Sequence, residues 1–117
     1  MAEIYQIGSG MIGQAMALDL AESHKIHLAD LKIENVRKEI KEHPAIITYN
    51  LDVLDKQKLS SFIEKADIVL LAVPGYLGYS ALETIISSGK DVVDISFSPE
   101  NIMTVSYTHL TLPTIPQ

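Results

Sequence analysis

Residues 4–13, Ile4-Tyr5-Gln6-Ile7-Gly8-Ser9-Gly10-Met11-Ile12-Gly13, decide how the rest of the chain is read. A short extended run passes into three glycines at the spacing G-x-G-x-x-G, after which Ile12, Met16 and Leu20 recur every four residues. This is the pattern of a strand, a tight glycine turn and an amphipathic helix. In that setting each glycine has its own task. Gly8 permits the turn, Gly10 lets backbone approach a bound pyrophosphate, and Gly13 lets the helix pack against the strand. The free N–H groups and positive dipole end of the helix favour an anion there without a basic side chain.

Outward from this turn the pattern repeats. Ile26-His27-Leu28-Ala29 reads as a second strand ending at Asp30, and Ile33, Val36, Arg37 and Ile40 follow at helical spacing. Ala45 to Leu51 is rich in β-branched and aromatic residues, and Leu59, Phe62, Ile63 and Ala66 predict a third helix with Asp55 as its N-cap. The unbroken apolar run Ile68–Val73, closed by Pro74-Gly75, predicts the most buried strand. Ala81, Leu82, Ile85 and Ile86 form a stripe closed by Gly89, which suits a left-handed C-terminal cap, and Val92-Val93-Asp94-Ile95 is a fifth strand. The order βαβαβαβαβ predicts an α/β fold: a Rossmann-like doubly wound parallel sheet, strand order 3-2-1-4-5, incomplete at the C-terminus because the usual sixth strand is missing. Strand five should then present an uncovered edge, which predicts marginal stability and a tendency to aggregate.

Length and charge set the outer limits. The chain has 117 residues, a net charge of −6, 47% hydrophobic residues and no cysteine, as expected of one soluble domain in a reducing, cytoplasmic setting. No disulfide, Cys-based zinc site or thiol nucleophile can form, and the acidic balance argues against non-specific nucleic-acid binding. No apolar run is long enough to span a membrane, and Met1, without a signal-like segment behind it, reads as a true start. From Val105 to Gln117 no Asp, Glu, Lys or Arg occurs. Residues 105–114, Val-Ser-Tyr-Thr-His-Leu-Thr-Leu-Pro-Thr, closely resemble one reading frame of the transposon-end adapter of sequencing libraries, a tail seen on metagenomic gene fragments. The expected organisation is a truncated nucleotide-binding domain over 1–103 and a non-native tail over 104–117.

Chemistry-bearing residues gather at the expected carboxyl edge of the sheet. Gly8, Ser9, Gly10, Met11, Ile12 and Gly13 would cradle a pyrophosphate. Asp30 lies 22 positions after Gly8, where a carboxylate can accept from both adenosine ribose hydroxyls, with Leu31 beside it. That favours NAD over NADP, although Lys32 offers a partner for a 2′-phosphate; Asp30 as a plain helix cap is the simpler reading. Asp52 and Val53 fall where the adenine would lie, with a turn role for Asp52 equally open. Ala72, Val73 and Pro74 border the switch point between strands one and four, where strand packing alone would also explain them. Asp94 and Ser96 end strand five, where a polar pair could reach the nicotinamide side of the cleft or the substrate, although a hydrogen-bonding loop role suits them better. His24, His27 and His43 show no metal-ligand spacing and read as structural or surface residues, His109 as part of the tail, and Tyr76 with Tyr79 as a packing face. No nucleophile with its base can be assembled, so no catalytic residue is assigned.

Taken together, Ile7-Gly8-Ser9-Gly10-Met11-Ile12-Gly13, Leu28-Ala29-Asp30, Leu51-Asp52-Val53, Ala66-Asp67-Ile68-Val69, Ala72-Val73-Pro74 and Asp91-Val92-Val93-Asp94-Ile95-Ser96 resemble the N-terminal NAD(P)-binding domain of the saccharopine dehydrogenase family, including lysine 6-dehydrogenase-like members. The resemblance covers nearly all of residues 3–101. It implies an oxidoreductase moving hydride between a nicotinamide cofactor and a C–N bond of an amino acid or amine, with homodimers common. It also implies that the family's substrate-binding domain lies outside these residues, so this fragment would bind nucleotide without turnover. The competing expectation is a non-enzymatic NAD-sensing regulatory module of the potassium-transport type, which shares the glycines and the acid ending strand two.

Overall fold

The computed structural model describes residues 2–73 and 75–95. Five parallel strands, β1 (Glu3–Ile7), β2 (Lys25–Asp30), β3 (Ile46–Asn50), β4 (Ile68–Leu71) and β5 (Val92–Asp94), lie in the order β3-β2-β1-β4-β5. The helices are α1 (Met11–Leu20), α2 (Lys38–Lys41), α3 (Lys56–Phe62) and α4 (Gly75–Ser87). The strand order expected from the alternation is therefore observed, and it sets β1 at the centre with β2 and β4 on either side.

Period-two alternation along the strands divides the core between the two faces of the sheet. Ile4, Ile26, Leu28, Ile46 and Leu70 pack with Ala17, Ala21, Val36 and Ile40 on the α1–α2 face. Tyr5, Ile7, Ala29, Val69 and Leu71 pack with Leu59, Ile63, Ala81, Leu82 and Ile85 beneath α3 and α4. Burying each of these large aliphatic side chains contributes about 1.5–3 kcal/mol. Strand β4 is buried as expected, and β1 and β2 are buried equally deeply because they hold the middle of the sheet.

Two helices differ from the periodicity that announced them. In α1 the buried line is Gly13, Ala17 and Ala21, while Ile12 is 51% exposed. Small residues allow the closest approach of helix to strand, Met16 and Leu20 pack partly against the same core, and only Ile12 of the apolar stripe faces outward. The second helix is broken. A 3₁₀ turn over Ile33–Asn35 is followed by extended backbone at Val36 and Arg37 and then by the single turn of α2. Val36 and Ile40 are buried nonetheless, and the Arg37 N–H donates to Gln14 Oε1 at 2.9 Å, a bond that a continuous helix would not allow.

The expected punctuation is present elsewhere. Asp55 caps α3 by accepting from Lys58 N–H at 3.1 Å, and Gly89 follows α4 with φ of 75°. At the far edge, Val93 of β5 is 46% exposed. No helix among the described residues is long and apolar enough to cross a membrane.

Candidate dinucleotide-binding site

The turn between β1 and α1 lies across the carboxyl ends of β2 and β4. Gly8 has φ of 106°, and a Cβ built on it would stand 2.1 Å from the Ala72 carbonyl oxygen. Its N–H continues the sheet by donating to Ala29 O at 2.8 Å. Only glycine satisfies both the left-handed backbone and the close approach to Ala72. At Gly13 a Cβ would lie 2.7 Å from Gly8 O, so the third glycine sets the helix down on the turn. Gly10 differs from both, since its Cβ position has nothing within 4 Å. It is the N-cap of α1, no side chain caps the helix there, and no acidic residue occupies the first turn. The first amides of α1 thus have no intrahelical acceptor and no capping side chain. Met11 and Ile12, 88% and 51% exposed, stand at the mouth of this open ground.

Asp30 ends β2 and reaches back to the turn. Its Oδ2 accepts from Ser9 N–H at 2.7 Å and its Oδ1 accepts from Lys32 N–H at 3.0 Å. The carboxylate therefore closes the turn that follows it, without capping a helix, since the 3₁₀ turn beyond starts from Lys32 with no side-chain cap, and it also ties that turn to the glycine loop. Ser9 is buried, its carbonyl accepting from Gln14 Nε2 at 2.8 Å. Gln6, fully buried in β1, donates from Nε2 to Gly8 O at 3.0 Å and to Gly13 O at 2.7 Å. Sequence reasoning passed over both glutamines. The available signal was a polar residue inside an apolar strand, two positions before the first glycine.

The remaining expected residues gather along the same edge. Leu31 is exposed beside Asp30, and Leu51 N–H donates to Asp30 O at 3.1 Å, bringing the start of the β3–α3 loop alongside. Asp52 Oδ1 accepts from Leu54 N–H at 3.0 Å, the turn role held open for it, and Val53 packs partly on the core. Ala72 N–H donates to Ile7 O at 2.7 Å, and Val73 is buried next to Gly8. Ile95 N–H donates to Leu71 O at 2.8 Å, which carries Asp94 to this edge. Pro74, Ser96, His109 and the whole 104–117 tail lie outside the described residues.

The three histidines among the described residues each bond to backbone or to neighbouring side chains. His24 Nδ1 accepts from Ala2 N–H and His43 Nδ1 from Ala45 N–H, each at 3.0 Å. His27 is buried, bonded through Nε2 to Glu3 Oε1 at 2.7 Å and through Nδ1 to the Tyr49 hydroxyl at 2.8 Å. Its ring stacks on Tyr5 with centroids 4.0 Å apart, and Phe62 closes the cluster edge-on. Burial, with Tyr49 and Glu3 adding to it, pushes the Tyr5 hydroxyl pKa up; burial and then Glu3 do the same to Tyr49. No group of three or more His, Cys, Asp or Glu suited to a metal ion occurs among the described residues.

An open Cβ position at the N-cap of an uncapped helix, with a carboxylate at the end of the adjacent strand, fits a dinucleotide: phosphates at the helix terminus and ribose toward Asp30. The sequence model of the saccharopine dehydrogenase NADP binding domain matches residues 4–112. The chain belongs to this family. It is an NAD(P)-binding domain of dehydrogenase and reductase type.

Solved structures carry the same fold. Apo saccharopine dehydrogenase (L-Glu forming) from Saccharomyces cerevisiae aligns at a TM-score of 0.72 and 24% identity over 85% of this chain. A short-chain dehydrogenase/reductase from Veillonella parvula in complex with NADP aligns at 0.69 and 18% identity over 97%. The Bordetella bronchiseptica enzyme WbmH in complex with NAD+ aligns at 0.61 and 19% over 76%. The saccharopine dehydrogenase NADP-binding family member described here spans 23% of the yeast chain and 58% of the Veillonella one. No curated protein matches it.

Proposed function

We propose that this domain serves an oxidoreductase that moves hydride to or from a C–N bond of an amino acid or amine, and that it takes NAD in preference to NADP. Family membership supports the reaction class, because the resemblance to saccharopine dehydrogenases extends beyond the glycine turn to the ends of β4 and β5. The observation that carries the cofactor preference is the Asp30 carboxylate, 2.7 Å from the Ser9 amide at the end of β2. A 2′-phosphate placed there meets a negative charge, whereas a free ribose diol finds an acceptor. Lys32, whose backbone turns around the same carboxylate, is the residue that would soften this preference.

The proposed contacts are Gly8, Ser9, Gly10, Met11, Ile12 and Gly13 for the pyrophosphate, Asp30 and Leu31 for the ribose, and Asp52 and Val53 for the adenine. Ala72, Val73 and Pro74 would border the cofactor at the switch point between β1 and β4. The substrate and the proton-transfer group belong to a second domain, of the kind that the longer relatives have room for, and homodimerisation to the whole protein. None of the relatives named above supports the alternative of a potassium-transport regulatory module. Calorimetric titration of the chain with NAD and NADP tests the reading. Tighter binding of NAD is expected, and equal or reversed affinities would remove Asp30 as the selecting group.

A further inference from the structure

We infer that Gln6 is a positioning residue for dinucleotide binding: its side-chain amide sets the orientation of the Gly8–Ser9 peptide and so the shape of the phosphate-binding turn. The inference rests on the nucleotide-binding reading of this edge and adds to it a residue outside the glycine pattern.

Gln6 sits in the central strand, in register with Leu28 of β2 and Leu70 of β4, and is fully buried. An apolar side chain would pack there without desolvating an amide, so a glutamine at this place needs a compensating role. Its Nε2 supplies one by donating both protons, to Gly8 O at 3.0 Å and Gly13 O at 2.7 Å. These carbonyls stand at the two ends of the glycine turn, one before it and one in the first turns of α1. Its Oε1 is buried with no partner among the described residues, so the compensation comes through the donor end of the amide alone.

The second part of the argument is geometric. In a planar trans peptide the carbonyl of Gly8 and the N–H of Ser9 point in opposite directions. Gln6 holds the first from within the core, and Asp30 Oδ2 holds the second from the β2 side at 2.7 Å. One peptide plane is thus gripped at both edges, and Gln14 Nε2 holds the following carbonyl, that of Ser9, at 2.8 Å. The plane cannot rotate without breaking a buried hydrogen bond. Gly10 and the first amides of α1 are therefore presented in a fixed arrangement, and a ligand spends no free energy on ordering them. The same clamp joins the ribose carboxylate to the phosphate turn.

The test is to titrate the full 117-residue chain and its Gln6→Met variant with NAD, ADP and adenosine. Methionine fills a similar volume and lacks the donor. Expected is about a tenfold rise in Kd for NAD and for ADP, the scale of one lost buried hydrogen-bond pair, with adenosine binding unchanged. An unchanged NAD affinity in folded Gln6→Met overturns the role of Gln6. An equal loss for adenosine overturns it too, since it marks a general packing defect. A wild-type chain that binds neither NAD nor ADP overturns this inference together with the nucleotide-binding reading, which sets that failure apart from the first two. Should Gln6→Met not fold, the Gln6 side-chain amide resonances of the wild type serve instead. They are expected to shift on addition of NAD or ADP and not adenosine, and a failure to move with NAD overturns the proposal.

Discussion

The Ser9 N–H donates to Asp30 Oδ2 across 2.7 Å, so the acid that ends β2 is already engaged by the glycine turn before any ribose reaches it. On the proposed reading Asp30 both holds the loop and receives the sugar, and its removal should be felt in both. Asp30→Ala is expected to weaken NAD by about tenfold or more and NADP by less, because only NAD loses a favourable ribose contact while both lose the ordered turn. Parallel titrations of the variant with the two cofactors decide this. Equal losses would reduce Asp30 to a loop clamp.

Gly8 and Gly10 should fail in different ways. Gly8→Ala forces a side chain against Ala72 O at a positive φ, and a loss of stability on the order of 3 kcal/mol is expected from strain and overpacking. For a domain of this size that is more than about 10 °C in Tm. Gly10→Ala has open space around its Cβ and should cost no more than about 1 kcal/mol, yet it fills the ground proposed for the pyrophosphate. Thermal melts and NAD titrations of the two variants side by side check this. A Gly10→Ala protein that binds NAD normally would move the phosphate site elsewhere.

Alkaline pH should act through the aromatic cluster on the α3 face. The hydroxyls of Tyr5 and Tyr49 have pKa values raised above the ordinary 10.0, so the unfolded chain loses these protons before the folded one does. The stability they contribute is complete below about pH 10 and is lost as pH climbs through their folded values. Absorbance titration near 295 nm, with melts at each pH, should show Tyr5 and Tyr49 of the folded protein ionising above the range of the unfolded chain. Tyr5→Phe with Tyr49→Phe should flatten the alkaline decline.

Dinucleotide should stabilise the fold by mass action. At one hundred times Kd the gain is about 2.7 kcal/mol, roughly 10 °C in Tm for a small domain. A melting temperature unmoved by saturating NAD and NADP would contradict binding by this chain.

The expectation that residues 104–117 are a non-native tail is open to a genetic test. Reading the source DNA across codon 104 is expected to show other codons in place of those for Val-Ser-Tyr-Thr-His-Leu. A genome that encodes those six residues contiguously would make the tail native.

The sheet order was legible because each strand and turn left a local mark: the glycines at 8, 10 and 13, the acid at 30 and the apolar run at 68–73. Features that depend on packing between elements left none. Ile12 keeps helical period and still faces outward, because α1 settles on Gly13, Ala17 and Ala21. The break at Val36–Arg37 follows from a hydrogen bond to Gln14, 23 residues earlier in the chain, which no periodicity encodes. In the candidate site, residue types at fixed spacing were readable. The bonds that shape the turn, from Gln6 and Gln14, were not, since a lone polar residue in an apolar strand does not name its partners.

The small-residue line beneath α1 makes that helix a lever. Ala17 is fully buried against the sheet about 9 Å along the axis from Met11, near the middle of the element. A valine or leucine in its place would pry the helix off the strands and tip the end that carries Gly10, changing how far its amides reach without touching one of them. Bulk at position 17 would thus act from a distance on the proposed phosphate site. An evolving sequence could adjust cofactor affinity there while every residue of the binding turn stays the same.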